Sequence, residues 1–256
     1  MLEFASIDVS VFNLDYLVVS WAIKPTTETI PDYRFSVWRS NSHGGDFKRV
    51  VDDLTDTFVY KDPKVKLRSK KRQYFYKVSV YDNSNPSVEV FSDVETHPKK
   101  PDVLALEIIR RNDLLLKNFV GVDSYHYARR DWGQRCPECW DYIKQRKVKS
   151  NCMVCFNTGF IGGFHTPVSA RINFNPSTKM IRHAQFEMEP NQTAAWMSNF
   201  PIVNPKDVIV EDGRKRWRVV NVNRTEKLRM PVHQVLQLTR INQNDVEYDL
   251  YIPETE

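Results

Sequence analysis

Short runs in which apolar and polar residues alternate occupy both ends of this chain, and a single helical stripe lies between them. In the first ninety-six residues the alternation starts at Ile7-Asp8-Val9. It continues over 17–23, where Leu17, Val19 and Trp21 share one face, and over 33–39, where large apolar residues alternate with polar ones. Ser42-His43-Gly44-Gly45 supplies a turn. Residues 73–81 then place Tyr74, Tyr76, Val78 and Val80 on one face by period two, and 88–92 close the series. Several short strands separated by turn signals predict an antiparallel sandwich.

His97-Pro98-Lys99-Lys100-Pro101 is a stiff, charged linker. Asp102 stands where a helix N-cap belongs and Gly121 where the helix would end. Between them Leu104, Ile108, Leu115 and Phe119 recur at helical spacing, flanked by Leu106, Ile109, Leu116 and Val120. The stripe is wider than one small domain needs. It serves either as core against the C-terminal part or as a seam between subunits, and core is the favoured expectation.

Beyond residue 165 the strand pattern returns, at 169–174, at 184–188, at 207–222 as two strands joined through Asp212-Gly213, and at 232–241. So many strands without helices are accommodated most economically by a small closed barrel.

Every cysteine falls in one arrangement: Cys136-Pro137-Glu138-Cys139, twelve residues, then Cys152-Met153-Val154-Cys155. Two thiolates with two residues between them converge on one edge of a metal, and the second knuckle supplies the opposite edge. This is the spacing of a tetrahedral four-cysteine zinc site, one ion per chain. Paired disulfides or four unrelated buried thiols are the alternatives. The opening residues Met1-Leu2-Glu3-Phe4-Ala5 show neither the basic nor the apolar region of a secretory leader, which favours the metal. Four protein ligands close the coordination shell, so the ion holds a small zinc-ribbon module together and activates no water. His126 and His165 are the nearby residues that could substitute for a cysteine ligand.

Charge is concentrated in the middle. Lys+Arg against Asp+Glu number 13 and 14 in residues 1–97, 12 and 7 in 98–165, and 12 and 11 in 166–256. Four thiolates around a dication would take the middle segment from +5 to +3, so part of the excess (Arg129, Arg130, Arg135, Lys144, Arg146, Lys147, Lys149) compensates the site. The basic run Arg68-Ser69-Lys70-Lys71-Arg72 is read as an exposed loop. The chain is 41% hydrophobic and 27% charged, and no apolar run approaches the length that spans a bilayer.

Trp21, the strand Tyr33-Arg34-Phe35-Ser36-Val37-Trp38-Arg39-Ser40 and the tyrosine-led Tyr74-Phe75-Tyr76-Lys77-Val78-Ser79-Val80-Tyr81 resemble a fibronectin type III domain over residues 3–96. Arg68–Arg72 replaces that family's usual Pro-Gly-Thr run, and no Arg-Gly-Asp motif occurs. A second resemblance covers residues 200–241. The segment D-V-I-V-E-D-G-R-K-R-W-R-V-V-N-V, a loop, and P-V-H-Q-V-L-Q-L-T-R-I are similar to the barrel of tailed-bacteriophage head-closure (stopper, head-to-tail adaptor) proteins.

The expected fold is therefore mainly β, in four parts. Residues 1–97 form a fibronectin type III-like sandwich, 98–121 a linker and connecting helix, 122–165 the zinc module, and 166–256 a head-closure-like barrel. No G-x-S-x-G elbow, P-loop, H-E-x-x-H or deaminase motif occurs, and the histidines at 43, 97, 126, 165, 183 and 233 are scattered, so no enzyme is expected. The resemblances imply a structural virion protein, made in the host cytoplasm, in the head-to-tail neck, with the sandwich projecting outward. Its implied partners are its own copies in a ring, portal or adaptor and tail ring proteins, and weakly the packaged DNA, with no membrane. The docking element expected is the 212–231 hairpin with Arg214, Lys215, Arg216, Arg224, Lys227 and Arg229. A zinc-ribbon nucleic-acid-binding protein, or a tail or baseplate protein, is the alternative.

Overall fold

The computed structural model describes residues 2–13, 15–24, 26, 32–65, 73–97, 102–177, 181–182, 184, 191–211, 215–227 and 230–253. The fold is mainly β, with one α-helix, and divides into two compact units. One comprises Met1–Pro101 with Trp132–Arg135, the other Asp102–Asp131 with Cys136–Glu256.

In the first unit β1 (Phe4–Val11), β2 (Leu17–Ile23) and β5 (Val59–Asp62) form a sheet in the order β1-β2-β5. A second sheet runs β4 (Lys48–Leu54), β3 (Tyr33–Ser40), β6 (Phe75–Asp82), β7 (Asn85–Phe91), and the short β8 (Glu95–Thr96) also pairs with β6. All pairings are antiparallel. Alternation sets the inward face: Tyr76, Val78 and Val80 are fully buried and Tyr74 nearly so. The sheets meet through aromatic rings, with Trp21 on β2 lying 5.9 Å from Phe35 on β3, and Phe58 5.3 Å from Phe35. Trp132, which groups with this unit, sets its ring edge-on to Phe58 at 4.5 Å. Beneath the rings, buried Asp62 accepts from Arg39 Nη1 at 2.6 Å and from the Tyr76 hydroxyl at 2.9 Å. The loop at 68–72 lies outside the described residues.

The second unit is built on a closed barrel. Its strands are β9 (Val122–Tyr127), β12 (Val168–Asn173), β13 (Gln192–Ser198), β14 (Val208–Glu211), β15 (Arg216–Lys227) and β16 (Met230–Arg240). They close in the order β12-β13-β16-β15-β14-β9. Ile172, Met197, Ile209, Leu236 and Leu238 fill the interior, each fully buried. The expected partition changes here. β9, expected within the zinc module, pairs with both β12 and β14 and shuts the barrel, so helix, cysteine module and barrel form one unit. β13 carried no alternation signal because it is buried almost throughout. The strand expected at 184–188 lies almost wholly outside the described residues, as does the turn at Asp212-Gly213.

The helix α1 (Val103–Leu115) starts where Asp102 accepts from the Leu104 amide at 3.0 Å. It continues as a π-turn over Leu116–Val120. Gly121 ends it in extended conformation, and a Cβ there would lie 2.3 Å from the Leu116 carbonyl oxygen, so only glycine fits. Ala105, Leu106, Ile109 and Leu116 are buried, Leu116 against Trp196 and Val235 on the barrel's outer face. The favoured expectation for the stripe is half overturned: the flanking Leu106, Ile109 and Leu116 make core, while Leu104, Leu115, Phe119 and the flanking Val120 remain 56%, 44%, 80% and 40% exposed.

Candidate metal centre

The cysteine module is an insertion between β9 and β12. Its two ends are held together as the chain leaves and re-enters the barrel, because Arg130 N donates to Gly163 O at 3.0 Å and His165 N to Ala128 O at 2.9 Å. The buried Arg130 guanidinium adds a bond from Nε to Phe164 O at 3.0 Å. After the first knuckle come β10 (Trp140–Asp141) and β11 (Arg146–Lys147), a two-stranded ribbon whose tip turns through Gln145 at φ 51°.

The structure brings all four predicted ligands together. Cys136, Cys139, Cys152 and Cys155 are at most 1% exposed, and their sulfurs all lie within 4.8 Å of one another. Cys136 Sγ stands 3.7 Å from Cys152 Sγ and Cys139 Sγ 3.2 Å from Cys155 Sγ, far beyond disulfide bonding distance. A tetrahedron with metal–sulfur bonds of about 2.3 Å has sulfur–sulfur edges of about 3.8 Å, so the cage fits one metal ion.

Backbone geometry prepares the cage. Burial pushes the Cys136 and Cys139 thiols up when no cation is there to oppose it. At Cys152 burial acts in the same direction, but the amides of Cys155 and Val154 together with hydrogen bonds to the Cys155 and Cys136 thiols outweigh it and hold the thiol below its ordinary value. Cys136 receives the equivalent amides from Glu138 and Cys139. Each knuckle thus turns two N–H groups on its first sulfur, which stabilises thiolate and orients it. Gly163, at φ +68°, closes the second knuckle; a Cβ there would sit 2.7 Å from the Cys155 carbonyl oxygen and 2.9 Å from the Phe156 side chain.

Neither His126 nor His165 joins the cage. His126 is 2% exposed and its Nε2 lies 2.8 Å from Asp207 Oδ2. Asp207 also accepts from Arg129 N at 2.9 Å and Asn204 N at 2.7 Å. This clamp ties the end of β9 to the segment entering β14. Sequence reasoning missed it, since His126 and Asp207 are 81 residues apart and carry no spacing signal. His165 is half-buried beside Arg130 and His126, and loss of hydration first, then those two neighbours, pushes it down to about 3.

The expected docking hairpin is altered. Strands β15 and β16 run through most of the anticipated loop, pairing as far as Lys227 with Met230. Arg216 is buried, donating to Leu250 O at 3.0 Å and lying over the Tyr248 ring, so it is part of the barrel and not of a docking surface. Arg224 donates to Asn204 Oδ1 at 2.7 Å. Arg214 and Arg229 lie outside the described residues. Among the described residues, no helix is long and apolar enough to cross a membrane.

No protein-family model matches this chain, and no curated protein matches it. Among solved structures it is similar to titin kinase and its flanking domains, at 10% identity with a TM-score of 0.29, over 93% of this chain and 37% of that one. A likeness this weak carries no argument about fold or function.

Proposed function

We propose that this chain is a structural component of a tailed-bacteriophage particle, part of the head-to-tail neck ring, with a fibronectin type III-like first unit and one structural zinc ion in the cysteine cage. The observation that carries the reading is the closed barrel in which β14, β15 and β16 are successive neighbours. These are the strands of the hairpin pattern that resembles head-closure proteins. The sheet orders β1-β2-β5 and β4-β3-β6-β7, with Trp21 between the sheets, support the fibronectin-like assignment. Four buried thiolates, with no fifth donor among the described residues, support zinc in a closed, structural role. The described histidines are engaged in packing or local bonds, His43 edge-on to Phe75 and His97 accepting from Tyr74 N, which supports a non-catalytic part. Deleting Thr225–Met230 tests the reading: the isolated chain stays folded while particles lose a stable head-to-tail joint. Normally joined particles carrying that deletion would contradict it.

One observation favours a second reading, a nucleic-acid-binding zinc ribbon. Tyr142 and Ile143 at the tip of the β10–β11 ribbon are 62% and 95% exposed, with Lys144, Arg146, Lys147 and Lys149 exposed beside them. That reading requires tight binding to isolated DNA or RNA with a footprint, whereas a neck protein binds weakly and loses the contact in moderate salt.

A further inference from the structure

The outer face of α1 has a composition that its own reversed copy complements. Val103 and Leu104 stand exposed at its first turn, and Leu114, Leu115 and Phe119 at its far end, between 44% and 80% exposed. Midway along this face lie the only charges between the two apolar ends. Glu107 receives Arg111 Nε at 3.1 Å and Arg110 Nη1 at 3.5 Å, and the Arg111 side chain is 76% exposed. The opposite face, with Ala105, Leu106 and Ile109, is already buried.

We infer that the α1 face binds a second copy of this chain, the two helices packing antiparallel. In that register Leu104 of one copy meets Leu115 of the other, and Glu107 stands opposite Arg111 in both halves of the contact. The residue numbers sum to nearly the same value for both pairings, which a two-fold axis through the middle of the helix requires. The area is sufficient. These side chains present at most about 600 Å² of apolar surface, the upper end of what monomers expose. Pairing it with an equal patch removes up to about 1,200 Å² from water, the size at which specific interfaces begin. Charge decides the kind of partner. The face has no excess strong enough to select a polyanion, and its acidic and basic groups are ordered to cross-pair with themselves. A two-fold contact is closed and cannot propagate, so the pair keeps the free chain from polymerising through this face. It concerns the free chain and stands apart from the neck reading, which particle composition tests separately.

Light scattering coupled to size exclusion, over a range of concentrations, measures the state of the purified full chain. The expected mass is that of two chains. L115E combined with F119E gives a single chain, with an unchanged melting temperature and metal content showing that the fold survives. E107R alone and R111E alone each weaken the pair at least tenfold, and E107R with R111E restores it. A wild type that stays monomeric at its highest soluble concentration overturns the inference, as does a pair that persists in the L115E/F119E chain. Failure of the charge swap to restore pairing overturns the antiparallel register.

Discussion

Gly163 is the residue on which the second cysteine knuckle turns most tightly. A side chain there meets the Cys155 carbonyl and the Phe156 ring at under 3.0 Å with φ at +68°, so Gly163→Ala should cost about 1–3 kcal/mol through backbone strain. The melting temperature of the metal-loaded protein checks this. Replacing any one of Cys136, Cys139, Cys152 or Cys155 by Ser should have a different effect, releasing metal and unfolding the module, because a structural site contributes folding free energy on the order of 10 kcal/mol. Metal analysis of each variant reads that loss directly. These residues were legible because metal-ligand spacing is a local signal. The clamp of His126 with Asp207 was not, since only barrel closure brings its halves together.

His165 makes a prediction about acid. Its folded-state value, pushed down to about 3 by burial, Arg130 and His126, lies well below the value near 6.5 expected when unfolded. Above pH ~6.5 both states are neutral and the stability is complete. As the pH falls from there towards 3, the unfolded chain takes a proton that the fold refuses, and stability drops by up to about 1.4 kcal/mol per pH unit. Thiolate protonation adds its own loss at low pH but is common to wild type and variant. Denaturant titrations between pH 6 and 4 should show a shallower decline for His165→Asn than for wild type; parallel slopes would count against a buried neutral imidazole.

Among the elements, strands with strict alternation were the easiest to anticipate. Tyr74, Tyr76, Val78 and Val80 all point inward as period two requires. Strands without it went unseen for two opposite reasons. β4 is a polar edge strand with no buried residue, and β13 is buried on both faces over most of its length. Helix spacing found α1 but could not assign its faces, because apolar residues line both the side that packs on the barrel and the side that does not. Trp21, 4% exposed between the two sheets, is the element-scale test of the first unit. Its replacement by Ala should cost about 3–5 kcal/mol by opening a large cavity. Calorimetry should place that loss in the first unit's transition and leave the second unit's unchanged.

For the whole molecule, barrel closure is the organising event. β9 precedes the cysteine module and β12 follows it, yet they are neighbours in the barrel, so the module acts as a brace across the seam. Removing the metal with a chelator should therefore lower the melting temperature of the entire second unit while the first unit's transition stays in place. The single linked unit was hidden in the sequence because β9, Val122–Tyr127, sits beside the knuckles and reads as part of them. The proposal that this barrel serves in a phage neck is tested most directly by quantitative mass spectrometry of tailed-phage particles purified from cells that produce the chain. The expected result is this protein at a fixed, ring-like copy number relative to the portal protein, retained through salt washing. Its absence from purified, infectious particles would contradict the assignment.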